Sequence, residues 1–441
     1  MVVCEPLESR RFLSTTTTVT KDAVPNRDLW ASDAMVGSYA QLAASDNQYQ
    51  QLTELVSQKV SALDHYWRFK VSPGDRITFN VEAFHSRNNE GDHFQFAYST
   101  DGRNFTPLFY VTKRADDGQL QSAQLPSYVQ GTVYIRVQDM NRQVGLTRRD
   151  TLWIDNMFIR SQSYVPHFAN GVSQGEVNSS QVTEASGLVA SRKNPGVLWT
   201  HNDGGNSANV IALDTTGRRL ATYHLNDVKN LNWEDIAIGS GPVAGMDYLY
   251  IADIGDNSLS RKAIVVYRIP EPTVSLDPVD KTLDLDTAVA ITLRYPDKPH
   301  DAEALIFDPN SKYGGLFIIT KGDNPSRIYQ APLGALTSGK AITLIDRGAI
   351  PNQTLASAAD LSPDGMEVLV RYNTGDDASE SVYHYTRLAK QPLWETLRTR
   401  GHRVPYIIEP NGEAIAWAAD GNGYYTLSEG SDQPLYFYRR Q

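Results

Sequence analysis

Acidic and polar residues recur at matched places along the second half of this sequence, each beside a short apolar run. Glu184 precedes Ala185-Ser-Gly-Leu-Val-Ala190, Glu234 lies in Asn232-Trp-Glu-Asp-Ile-Ala237, and Glu303 lies in His300-Asp-Ala-Glu-Ala-Leu305. Ser357-Ala-Ala-Asp-Leu361 and Gly412-Glu-Ala-Ile415, with Glu413, continue the series. A second set follows each run after a further apolar stretch: His201 and Asp203, Asp253 and Asp256, Lys321 and Asp323, Arg371, and Glu429. Carboxylates gathered in one narrow space cannot all stay ionised without a counter-charge. A hard cation that prefers oxygen, Ca2+, is the simplest one, held by Glu184, Glu234, Glu303, Ser357 and Glu413. Beside such a metal, Lys321 and Arg371 could hold an anion, His201 and Asp203 could move a proton, and Asp253, Glu429 and Trp233 could touch a ligand. That mixture suits metal-assisted hydrolysis of a phosphate ester, or acid-base cleavage of an acidic sugar. Each residue also has a structural reading. Asp beside Gly commonly caps a turn, a histidine is more often packed than catalytic, and tryptophans such as Trp199 and Trp233 are usually buried.

The elements that would position these residues repeat with them. Each acidic start is followed by an apolar strand, a turn and a second strand, as in Asn194-Pro-Gly196 between Ala190 and Val197. Self-similarity at a period of about 50 residues marks a propeller or a solenoid, and strand pairs without helical periodicity favour propeller blades. In a propeller the first strand of each blade lines the central channel, so both sets of residues would face one channel mouth. Blades are expected at 184–225, 232–295, 300–348, 355–408 and 412–441. The last has too few strands, and Gly171-Val-Ser-Gln-Gly-Glu-Val177 would complete it and seal an open edge. Five blades result, with room for a sixth in the long second unit.

Ahead of the repeats, residues 25–163 read as a separate β-sandwich. Alternation with a period of two runs through His65–Val71, Arg76–Phe84, His93–Tyr98 and Thr132–Val137, with turns at Ser72-Pro-Gly-Asp75 and Thr100-Asp-Gly-Arg103. The phrases Ser99-Thr-Asp-Gly102, Gly131-Thr-Val-Tyr-Ile-Arg136 and Asp155-Asn-Met-Phe-Ile-Arg160 resemble the jelly-roll accessory modules of secreted bacterial enzymes. That resemblance implies a binding or spacing role, and a structural calcium shared by Asp46 and Asp155. Residues 1–24 read as a sorting segment outside the fold, and 164–183 as a linker with the closing strand. Pro6-Leu-Glu-Ser-Arg-Arg-Phe-Leu-Ser14 resembles the Leu-Glu-x-Arg-x-Leu-Leu-Ser signature of extracytoplasmic planctomycete proteins, with Phe12 where Leu is usual, and implies an extracytoplasmic location.

Composition narrows the function. A formal net charge of −10 over 441 residues argues against a nucleic-acid partner. No apolar run reaches the ~18–20 residues of a membrane span. The single cysteine, Cys4, excludes an intramolecular disulfide framework and a Cys-rich zinc site. No His-Glu-x-x-His or phosphate-binding glycine loop is present. The arrangement of residues 184–441 resembles, in architecture only, calcium-dependent apyrases and β-propeller phytases; the Asp-Asp-Pro-Ala segment of the phytases is absent. By position, the resemblance extends to Glu184, Glu234, Glu303 and Glu413. The expected protein is therefore all-β: an N-terminal jelly-roll sandwich, then a five-bladed propeller. Its expected role is calcium-dependent, non-catalytic binding of a glycan or protein ligand. The alternative is a calcium-dependent phosphate-ester hydrolase or a glycan-cleaving enzyme.

Overall fold

The computed structural model describes residues 17–86, 93–145, 147–279, 281–373 and 380–441. The Pro6–Ser14 motif lies outside them. Two compact units divide the chain, Thr17–Val165 and Pro166–Gln441. Both are built from strands; among the described residues, helix is confined to Leu393–Leu397 and two 3-10 turns.

In the first unit, alternation translates directly into burial. Along Gly131–Asp139 it is Val133, Ile135 and Val137 that turn inward, and along Asp64–Val71 it is His65, Trp67, Phe69 and Val71. Arg27–Val36 is shared between two sets of strands, pairing through its first half with Asp64–Val71 and through its second with Gln50–Ser57. Both sets feed one core, Trp67, Phe69, Phe96 and Ile135 from one, Phe79, Val81, Leu152 and Ile154 from the other. Thr17–Ala23, expected to lie outside the fold, is a strand paired antiparallel with Ile159–Val165. Its β-branched run, Thr17-Thr-Val-Thr20, suits an extended backbone against a partner strand.

Among the described residues the second unit contains five sheets. Their first strands are Ala185–Ala190, Trp233–Ser240, Ala302–Asp308, Ala356–Leu361 and Gly412–Trp417. Val172–Val177 pairs with Gln433–Arg439, so the fifth sheet joins residues from both ends of the unit. The long second repeat does not make a sixth sheet among the described residues. Its Leu283–Leu285 instead adds in parallel to Arg219–Leu225 of the preceding sheet.

The five first strands neighbour one another in a cycle. They are buried on both faces, which explains their Ala- and Gly-rich sequences. Ala185–Ala190 and Ala302–Asp308 are enclosed at every residue. Gly239 lets the next sheet approach: a methyl group there would run into the Phe307 ring, which stacks on Tyr250 at 4.8 Å.

Polar side chains tie the cycle together from within. Asp235 Oδ1 accepts its neighbour Ile236 N (2.8 Å), while Oδ2 accepts Leu305 N (2.8 Å) and Ala359 N (3.3 Å) from the next two first strands. Asp360 Oδ2 accepts Trp417 N (2.8 Å), and Ser186 Oγ donates to Glu234 O (2.7 Å). Burial raises both the Asp235 and the Asp360 carboxyls well above the usual range, so these contacts tie neighbouring sheets as ordinary hydrogen bonds, each contributing about 0.5–1.5 kcal/mol.

Candidate functional site

The ring residues are placed by a repeated irregularity. Each first strand carries a β-bulge near its start, and the unpaired residue is Ser186, Glu234, Glu303, Ser357 or Glu413 in sheets one to five. A bulge inserts one residue and re-aims its side chain. It therefore lets consecutive residues such as Glu234 and Asp235 both serve the axis, which strict alternation forbids. The equivalent of Glu234, Glu303 and Glu413 in the first sheet is thus Ser186. Glu184 lies two residues earlier, is exposed and accepts from Asn206 Nδ2. Placing Glu184 in the ring misjudged the register by those two residues.

Around the bulges the charges gather. The Lys321 ammonium donates to Glu303 Oε1, in a pair whose carboxyl side is 6 % exposed and whose lysine is 25 % exposed. The other oxygen, Glu303 Oε2, is buried with no donor. Burial pushes the Glu234 carboxyl far up, and the charges of Glu303, Asp203 and Glu413 add to the effect. Glu303 is also raised by burial, against the pull of Lys321. Burial raises Glu413 too, and with the Glu413 and Asp203 charges it lifts Glu429 to about 8. Burial works against the Lys321 ammonium, but Glu303, Glu413 and Glu234 outweigh it and hold the charge on. Asp203, Glu234, Glu303 and Glu413 thus share the charge of Lys321, the Arg371 guanidinium also acts on Glu413, and Glu429 and the exposed Glu184 join the group through Asp203.

The remaining expected site residues lie elsewhere. Asp203, Lys321 and Glu429 follow the ends of their second strands, whereas His201 and Arg371 sit earlier, opposite Gly187 and Ala358. His201 is fully enclosed. It lies over Gly187, where a methyl group would come within 2.6 Å of Nε2, and meets Trp233 edge-on. Burial pushes its pKa down to about 4, so it is a neutral core residue and not a proton carrier at the surface. Trp233 is equally enclosed and presents no face to a ligand. Arg371 is buried and committed: it donates to Ser357 Oγ (2.8 Å), Glu380 Oε2 (2.7 Å) and the Tyr406 hydroxyl (3.0 Å). Asp253 pairs with Arg261 (2.8 Å) and accepts Asn232 N (3.2 Å), shaping a turn instead of facing a ligand.

Nor does the ring make a cation cage as it stands. Ser357 is taken by Arg371, Glu184 is outside, and Lys321 supplies the positive charge. Among the described residues, three ligand atoms approach within 4.8 Å of one another only at Glu82, Asp116 and Asp155, in the first unit. Asp155 is itself the bulged residue of its strand, between Ile154 and Asn156. Its Oδ1 accepts Asp46 N (3.3 Å), and its Oδ2 is buried without a donor. Asp46 therefore meets Asp155 through its backbone amide, not its carboxylate. Asp116 accepts the Tyr49 hydroxyl (2.6 Å), which holds its carboxyl below the usual range, while burial raises Glu82. Sequence reasoning missed Glu82 and Asp116 here, and Asp235 and Asp360 in the cycle. Only the Glu234-Asp235 pair, two acids in a row on an apolar strand, offered a signal.

No family model matches the chain, and no curated protein does. Solved structures similar to it include Kuenenia stuttgartiensis hydrazine synthase, at 12 % identity over 57 % of this chain and 78 % of that one, with a TM-score of 0.31. The Neurospora crassa Pan2 WD40 domain matches at 12 % identity over 62 % of this chain and 97 % of its own, with a TM-score of 0.31. TmCBM61, in complex with β-1,4-galactotriose, matches at 12 % identity over 32 % of this chain and 86 % of its own, with a TM-score of 0.21. Likeness this slight leaves the function to the residues themselves.

Proposed function

We propose that this chain is an extracytoplasmic, non-catalytic binding protein. In this reading a jelly-roll sandwich carries a structural Ca2+ between Glu82, Asp116 and Asp155, and a five-bladed β-propeller offers its acidic channel mouth to a cationic segment of a protein ligand. The observation that carries it is the group at and beside the bulges, where Glu303 pairs with the Lys321 ammonium and Glu234, Glu413 and Asp203 share its charge, with Glu429 beside them. A cation that enters favours ionisation of these raised carboxyls and is held by it, whereas a phosphate or uronate meets only repulsion. The residues that a phosphate-ester hydrolase would need are engaged otherwise: Arg371 with Glu380 and Tyr406, Lys321 with Glu303, and His201 within the core. The sandwich triad supports calcium because its oxygens already converge and one of them lacks any donor.

The test is calorimetric titration of the full chain with oligolysine and oligoglutamate, alongside assays on phosphate-ester and glycan panels with and without Ca2+. Oligolysine should bind, with an affinity that falls with salt, and the double variant Glu413→Gln, Glu429→Gln should weaken it. Turnover of a panel substrate that disappears in those same variants would replace binding with catalysis.

A further inference from the structure

Resting on that reading of the mouth, we infer that it is a seat for a primary alkylammonium and that Lys321 is the seat's tethered occupant, so that a lysine side chain of the ligand enters by exchange. Three features carry this. First, the ammonium of Lys321 is already seated, on Glu303 Oε1. Second, Glu303 is 5 % exposed, and its other oxygen is enclosed without a donor, an acceptor that a single ammonium on Oε1 leaves unfilled. The stem of Lys321 brings its ammonium to Oε1 alone, whereas an untethered ammonium that takes its place has three rotatable donors and can meet both oxygens. Third, Lys321 reaches the seat from the rim: it follows its strand's last residue, Thr320, and keeps a quarter of its side chain exposed, so its flexible stem can withdraw to water.

The chemistry favours an ammonium over its rivals. A Ca2+ ion requires about six to eight oxygens at close range, and no three ligand atoms converge within 4.8 Å at the mouth among the described residues. A guanidinium is a planar fork that matches a carboxylate through two parallel bonds, whereas the cation that Glu303 now holds is a single point charge. An ammonium is a compact point charge with three rotatable donors, and it suits one buried carboxylate ringed by further negative charge.

Chemical rescue tests the seat. Lys321→Ala removes three methylenes and the ammonium, which n-propylammonium restores. Thermal unfolding and calorimetry should show saturable binding of n-propylammonium to Lys321→Ala but not to the unaltered protein. The double variant Glu303→Gln, Lys321→Ala should abolish it. Equal stabilisation by tetramethylammonium at matched ionic strength would mean simple screening and overturn the proposal. Stronger stabilisation by Ca2+ would overturn it in favour of a dication site. Should Lys321→Ala fail to fold, Lys321→Met keeps the stem without the charge. It should bind oligolysine about tenfold more tightly than the unaltered protein, since no tethered ammonium has to leave. Oligolysine that binds both proteins equally defeats the exchange and leaves the binding reading intact. Oligolysine that binds neither defeats the binding reading itself, while the n-propylammonium arm still decides the seat.

Discussion

Two groups of carboxyls in this chain use the same backbone device and reach opposite electrostatic solutions. In the second unit, bulges turn Glu234, Glu303 and Glu413 to the cycle's axis, and a lysine from a neighbouring strand end supplies the counter-charge. In the first unit, a bulge turns Asp155 toward Glu82 and Asp116, and what meets them directly is the Tyr49 hydroxyl and two backbone amides, while the nearby Lys113 ammonium is bonded to Asp117. A hydroxyl and an amide lend partial charge only, whereas the ammonium brings a whole one. The first-unit triad is therefore the group short of positive charge, and the mouth is the group already provided with it. Bulges decide where acids meet; the residue type opposite them decides whether an ion is still wanted.

The comparison breaks first if the cycle that carries the mouth is less dependent on its internal ties than argued. Asp235→Ala would leave the Leu305 and Ala359 amides without their acceptor. Each buried amide left without an acceptor costs about 1–3 kcal/mol. Calorimetry should show the unfolding transition of the second unit falling steeply while that of the first unit stays in place. A shift below about 1 kcal/mol would mean that the amides find other partners and that apolar packing alone holds the sheets.

Next in size is a pH effect that separates packed histidine from proton carrier. His201 has its folded pKa depressed by burial from 6.5 to about 4. Its contribution is therefore complete above pH 6.5 and is lost as the pH falls toward 4, because the unfolded chain takes up the proton first. The loss amounts to about 3 kcal/mol. His201→Phe should flatten that part of the stability profile of the second unit. An unchanged profile would show that His201 is not the titrating group and reopen a surface role for it.

The first-unit triad gives a third handle. Ca2+ at about a hundred times its dissociation constant should stabilise that unit by about 2.7 kcal/mol. Asp155→Asn should remove most of the gain, because it alters the one oxygen that is buried without a donor. Stabilisation that survives Asp155→Asn would place the ion elsewhere and end the contrast drawn here.

What could be read from the sequence follows the same division. The apolar runs and acidic starts announce all five first strands, because each sheet must bury one strand on both faces and restart the pattern. Lys321 and Glu303 were recognisable as neighbours for that reason. A bulge leaves no such trace, since it adds one residue without changing composition. Ser186 was therefore overlooked in favour of Glu184, and His201 was set beside Asp203 although their side chains belong to different levels. The triad was harder still. Glu82, Asp116 and Asp155 come from three separate stretches, and only tertiary pairing of Arg76–His85 with Thr151–Val165 brings two of them together. Asp46 meets Asp155 through its backbone amide and not through the carboxylate that the expected shared calcium would use, and no side-chain pattern encodes that contact.

The smallest expected effect is the sharpest check on register. Glu184 and Glu413 look alike in the sequence, each preceding a small apolar strand, yet only Glu413 is a bulge residue; Glu184 acts on Asp203 and Glu429 from the exposed edge of the group. Glu184 is exposed, and its partner Asn206 is a neutral amide. Glu184→Gln keeps that hydrogen bond and removes a charge that solvent already screens, so stability should change by less than about 0.5 kcal/mol and oligolysine affinity should barely move. Glu413→Gln removes a charge that helps hold the Lys321 ammonium, and should weaken oligolysine binding several-fold under the same conditions. Measured side by side, the two variants separate ring membership from proximity in sequence. If Glu184→Gln weakens binding as much as Glu413→Gln, position along the chain matters more than the bulge, and the ring must be redrawn with Glu184 inside it.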